Sequence, residues 1–90
     1  MTSIDHQPES SRFRAEVEGR EAELAYRSRS GVMELTYTHV PEEIGGRGIA
    51  GALVEAALEH ARSVGLKVAP SCSYAAAYIA RHPQYADLVD

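Results

Sequence analysis

The sequence predicts an α+β domain, a mixed and mostly antiparallel sheet with helices packed on it. Three observations predict this. Residues 12–40 alternate apolar and polar side chains in three runs separated by Gly-containing turns, the period of half-buried strands in a meander. Residues 49–64 repeat their apolar positions at helical spacing. A short apolar run at 66–69 then returns the chain to the sheet. The predicted order is β-β-β-α-β-α, and both helices need a sheet to cover.

Met1 to Ser11 is polar and carries Pro8, so residues 1–11 read as a flexible N-terminal arm and 12–90 as a single domain. In the first strand, Arg12 to Glu18, Phe13, Ala15 and Val17 share one side. Gly19-Arg20 is the turn candidate. Glu21 to Arg29 follows, with Ala22, Leu24 and Tyr26 on one face, and Ser30-Gly31 makes the second turn. Val32 to Val40 is rich in β-branched and aromatic residues. Strict alternation puts Met33, Leu35 and Tyr37 on one face, and Val32, Thr36, Thr38 and Val40 on the other. Pro41 stops this strand, having no N–H for a ladder, and Glu42 to Gly46 is a loop.

In the long helix, Ile49, Leu53, Val54, Ala57, Leu58, Ala61 and Val64 form one stripe, with Glu55, Glu59 and Arg62 off it. Gly65 is its natural stop. Leu66 to Ala69 is the fourth strand, ended by Pro70. Ser71 or Ser73 can cap a second helix from about Tyr74 to Arg81. Pro83 ends it or opens a last helical turn, Gln84 to Val89.

Ninety residues with 44% apolar content suit one small globular domain. A net charge of −4 weighs against non-specific nucleic-acid binding, which needs a basic surface to displace counterions. No apolar run approaches the ~20 residues of a membrane helix, and no secretory signal is visible. The single cysteine, Cys72, has no internal disulfide partner, so the expected compartment is a reducing cytoplasm, and the expected state is a monomer or weak homodimer. His39, Cys72 and His82 lack the close spacing of metal ligands, and no metal is expected.

The most informative segment is Gly45-Gly46-Arg47-Gly48-Ile49-Ala50-Gly51, between a strand and an amphipathic helix. Glycines let the backbone approach a ligand closely. The helix start offers unpaired N–H groups and partial positive charge, a cradle for pyrophosphate. Arg47 adds a charge-assisted contact. A flexible loop without ligand is the competing reading. A Walker loop fits poorly, because no Lys-Ser or Lys-Thr pair exists here. A dinucleotide fingerprint fits poorly, since Lys67 to Ser71 holds no acidic residue.

At these residues the chain resembles the GCN5-related N-acetyltransferases (GNAT), whose cofactor loop reads Gln/Arg-x-x-Gly-x-Gly/Ala; here the pattern falls on Gly45, Gly48 and Ala50. More closely, it is similar to a small YjdJ-type subgroup. The resemblance rests on Thr38-His39-Val40-Pro41, on Gly46-Arg47-Gly48-Ile49, and on Pro70-Ser71-Cys72-Ser73-Tyr74 leading to His82-Pro83. Gly45 stands where Gln or Arg is common, and His39 where the subgroup often has Glu.

The resemblance implies a minimal GNAT-like fold and transfer of an acetyl group from acetyl-CoA to an unidentified acceptor, an amine by the family's chemistry. It implies that Thr38, His39 and Val40 line the pantetheine arm, and that Gly46, Arg47, Gly48, Ile49, Ala50 and Gly51 hold the pyrophosphate. It implies a base for the amine proton and an acid for the departing thiolate. His39 is the candidate base, histidine being suited to proton transfer near neutrality. Tyr78 is the candidate acid, with Tyr74 another. Cys72, at the mouth of the second helix, is a candidate nucleophile whose thiolate the helix dipole would favour; a small residue filling the strand–helix corner is the competing reading. A CoA-binding module with little turnover, or an interaction domain without ligand, are the alternatives to an enzyme.

Overall fold

A computed structural model describes residues 3–89; Met1, Thr2 and Asp90 lie outside the described residues. The three predicted strands form where alternation places them: β2 (Arg12–Val17), β3 (Arg20–Arg29) and β4 (Val32–His39). Consecutive strands pair antiparallel. The first hairpin closes one residue earlier than predicted. Val17 pairs with Arg20, so the turn is Glu18-Gly19, not Gly19-Arg20. Glu18 and Gly19 both have positive φ, 53° and 76°, as a type I′ loop requires.

Part of the expected N-terminal arm is instead a strand. β1 (Asp5–Gln7) pairs antiparallel with β2, His6 opposite Phe13. What fixes it is not apolar alternation. The His6 ring stacks on Phe13 at 4.1 Å, and its Nε2 lies 2.6 Å from the Tyr26 hydroxyl. The segment Pro8–Ser10 forms one 3₁₀ turn before β2.

α1 (Ile49–Val64) buries its predicted stripe, except Val64 in the last turn, which is exposed. Gly65 ends it in the left-handed conformation. β5 (Lys67–Pro70) lies parallel to β4, Met33 opposite Val68, giving the sheet order β1-β2-β3-β4-β5. α2 (Ser73–Arg81) has Cys72, rather than a serine, at its N-cap. Pro83–Leu88 is a 3₁₀ segment. It is clasped to α1 by Tyr85, whose hydroxyl donates to Glu59 at 2.5 Å, and by Arg62, which pairs with Asp87 at 3.0 Å.

The core lies between the helices and one sheet face. Leu24, Met33, Leu35, Leu53, Val54, Leu58 and Val68 are all fully buried there. The opposite face carries ion pairs, Arg12 to Glu21 and Glu23, and Arg14 to Glu21. Among the described residues no helix is long and apolar enough to cross a membrane.

One irregularity breaks the predicted faces of β4. Ala25 pairs with Tyr37 but Tyr26 pairs with Leu35, so Thr36 is an extra residue, a β-bulge. One inserted residue shifts every later side chain to the other face. Tyr37 is therefore not beside Leu35 in the core; it is 48% exposed and donates to Glu23 at 2.7 Å. Thr38, opposite the buried Leu24, turns inward instead.

Candidate functional site

The bulge and Pro70 together open the sheet. The β4–β5 ladder ends at Leu35 and Pro70. Beyond it, β4 pairs with β3 alone, and Pro70 has no N–H with which to extend the ladder. One backbone bond continues past the break, from the Cys72 N–H to the Leu35 carbonyl at 2.9 Å. It fixes Cys72 at the fork between the diverging chains. Thr38 reaches across from β4, its Oγ1 3.5 Å from Cys72 Sγ.

A cleft of about 270 Å³ lies at this open end of β4. Val40 lines it from beyond the strand, Ile44, Gly45, Gly46 and Gly48 from the loop, Ile49 and Ala50 from α1, and Tyr74 from α2. Gly46 and Gly48 each have φ of +76°, a conformation other L-residues adopt only with strain. A Cβ on either would meet nothing within 4 Å, so these glycines answer a backbone need and leave the loop surface bare. Gly48 is the N-cap of α1 and supplies no side-chain cap. The first intrahelical bond is Ala52 N–H to Gly48 carbonyl at 3.0 Å. The N–H groups of Ile49, Ala50 and Gly51 are thus the free donors of the helix start. With the macrodipole they leave a partial positive charge at the cleft that no carboxylate in the first turn neutralises.

Cys72 is half-buried. Burial pushes its thiol up, but the Thr38 hydroxyl and the backbone N–H groups of Ala75 and Tyr74 at the start of α2 act more strongly together. The thiol ends below its ordinary value. A sulfur at a helix N-cap is a setting that favours thiolate.

The predicted site residues separate into three groups. Val40, Gly46, Gly48, Ile49 and Ala50 meet at the cleft, and Thr38 and Cys72 meet at the fork beside it. Arg47 does not line the cleft; its guanidinium pairs with Glu18 at the tip of the β2–β3 turn, 2.9 Å away. Gly51 sits where α1 meets α2, and a Cβ there would touch the Tyr74 hydroxyl at 3.4 Å and Tyr78 at 3.5 Å. His39, opposite Glu23 in the register, is exposed and faces away from the core side. Of the two tyrosines, Tyr74 lines the cleft, whereas Tyr78 is buried and stacks on His82 at 3.9 Å. Burial, then Glu55, Tyr74 and Glu59, holds the Tyr78 phenol above its ordinary value.

Sequence reasoning missed Ile44, a buried residue under the loop. Its signal was a lone apolar side chain between Glu42-Glu43 and the glycines. It also missed Glu18 as the partner of Arg47, a contact across 29 positions with no local signature. Among the described residues no three His, Cys, Asp or Glu side chains gather as a metal site would need.

Two comparisons with known proteins bear on this geometry. A family model described as GCN5-related N-acetyl-transferase matches residues 12–88. A GCN5-like protein from Staphylococcus aureus, a candidate N-acetyltransferase solved by solution NMR, superimposes with a TM-score of 0.76 at 29% identity. The match covers 98% of this chain and 87% of that one.

Proposed function

The chain belongs to the GCN5-related N-acetyltransferase family, and from that premise we propose that it binds acetyl-CoA in the cleft and passes the acetyl group to an amine at the strand fork. The observation that carries this reading is the cleft itself, lined by an uncapped helix start and bare glycines together with Val40 and Tyr74. Thr38 and Cys72 meet two residues along the chain from Val40 and Tyr74.

The residues present fit such a ligand. The N–H groups of Ile49, Ala50 and Gly51 would donate to the pyrophosphate oxygens, the free Cβ directions of Gly46 and Gly48 leaving room for them. The free backbone edge of β4 at Thr38, His39 and Val40 would pair with the pantetheine arm. Acetyl-CoA supplies an activated thioester; this chain supplies orientation and proton transfer. Tyr74 is better placed than Tyr78 as the acid for the departing thiolate, because it lines the cleft while Tyr78 is buried against His82. The side chain of His39 lies on the far sheet face, so a basic role would be served only from that side.

Cys72 supports a second route. Its lowered thiol and its place at the fork suit nucleophilic attack on the thioester carbonyl, before the amine takes the acetyl group. Single-turnover mixing with acetyl-CoA and mass spectrometry of the intact chain test this. A gain of one acetyl group, absent in Cys72→Ala, supports the covalent route. CoA release by wild type and Cys72→Ala at equal rates overturns it in favour of direct transfer. Tight binding with no turnover on any amine leaves the chain a CoA-binding module.

A further inference from the structure

The Arg47 guanidinium is the loop's cation, yet in this structure it is turned away from the cleft its neighbours Gly46 and Gly48 line. Both of its terminal nitrogens meet the carboxylate of Glu18, at 2.9 and 3.2 Å. Glu18 is itself in an unusual place. It holds the first position of a type I′ turn with φ of +53°, where Asn, Asp or Gly is the local preference. An aspartate or asparagine would make the better turn; the longer glutamate is what reaches Arg47. Two independent features, a bidentate pair and a residue at odds with its backbone, thus converge on one contact between the hairpin tip and the loop.

We propose that Glu18 is a counter-anion that competes with a phosphate-bearing ligand for Arg47 and so moderates the ligand's affinity. The inference rests on the reading of the cleft as a CoA site. It adds that the free protein presents the helix start with its cation paired to Glu18, so a phosphate-bearing ligand must compete with that carboxylate for Arg47. Exposed ion pairs are weak, so Glu18 moderates affinity rather than blocking the site.

The test uses the full chain with CoA as the probe. Glu18→Asn removes the charge and leaves Asn-Gly, a favoured type I′ pair, so the hairpin is kept. It should tighten CoA binding about two- to fivefold, the range of an exposed pair. Arg47→Gln should weaken binding, and adding Glu18→Asn to Arg47→Gln should change nothing further. A tightening of the same size in both backgrounds, or no tightening in the first, overturns the inference while wild-type binding of CoA upholds the site. No CoA binding by wild type overturns both. An NMR titration of the Glu18 carboxyl gives a second readout. Arg47 holds it below the usual carboxylate range, and saturating CoA should move it upward as Arg47 leaves. A carboxyl unmoved by CoA contradicts the exchange.

Discussion

Thr38 Oγ1 and Cys72 Sγ lie 3.5 Å apart across the point where β4 and β5 stop pairing. The contact exists because Thr36 is inserted in β4. Without that bulge Thr38 would face the ion-paired side of the sheet, and the Cys72 thiol would lose its side-chain partner from β4. The hydroxyl is among the groups that lower the thiol. Thr38→Val should therefore raise the thiol's titration midpoint, read from the pH dependence of alkylation by iodoacetamide. An unchanged midpoint would mean that the backbone groups of Ala75, Tyr74 and Thr38 suffice without the hydroxyl.

The anion end of α1 is tested at Gly48. Glu there must adopt positive φ, at about 1–2 kcal/mol of stability, and places a negative charge beside the free N–H groups. Gly48→Glu should still fold by circular dichroism and lose CoA affinity about tenfold or more, about 1.4 kcal/mol per decade. Unchanged affinity in the folded variant would remove the loop from the site.

Tyr74 and Tyr78 are separated by removing one hydroxyl each. Tyr74→Phe should keep acetyl-CoA affinity within about threefold and lower kcat, if its hydroxyl is the acid, by about 10²-fold. Tyr78→Phe should leave kcat near wild type, since that ring is packed on His82. The reverse ranking would return the acid role to Tyr78.

Much of this architecture is legible in the chain. The alternation of Phe13, Ala15, Ala22, Leu24, Met33 and Leu35 marks one buried face, and the stripe from Ile49 to Ala61 marks the helix that covers it. The glycine loop marks the cleft for the same reason, since local backbone demands are written in local residue types. What escapes reading depends on distant pairs. β1 is three polar residues held by His6 against Phe13 and Tyr26. The bulge at Thr36 is visible only in the register with β3, and it reverses the faces of Tyr37 and Thr38. The placing of Arg47 on Glu18 likewise joins two turns that the sequence treats separately.

The hold of β1 should depend on pH. Burial, then the neighbouring His60, depresses His6 below the ordinary histidine value of 6.5, with Asp5 and Glu9 opposing. The folded chain then binds this proton less readily than the unfolded chain. Its contribution to stability is complete above 6.5 and is lost as pH falls through the lower folded value. The melting temperature should fall as pH is lowered through and below 6.5, and fall less in His6→Gln. Equal falls in both would place the titration elsewhere.

The C-terminal clasp contributes to stability rather than chemistry. Tyr85→Phe removes the hydrogen bond to Glu59 without opening a cavity. It should cost about 1–2 kcal/mol and lower the melting temperature by about 5–10 °C. Acetyl-CoA affinity should not change, and a change would tie the clasp to the site.

The central claim is that this chain binds acetyl-CoA at the helix start, and isothermal titration of the full chain with acetyl-CoA, beside free CoA, tests it most directly. The account predicts one site of micromolar or tighter affinity, about −8 kcal/mol, for both ligands. No detectable heat together with no thermal shift would contradict it, leaving the glycine loop a structural element and the family likeness one of fold without ligand.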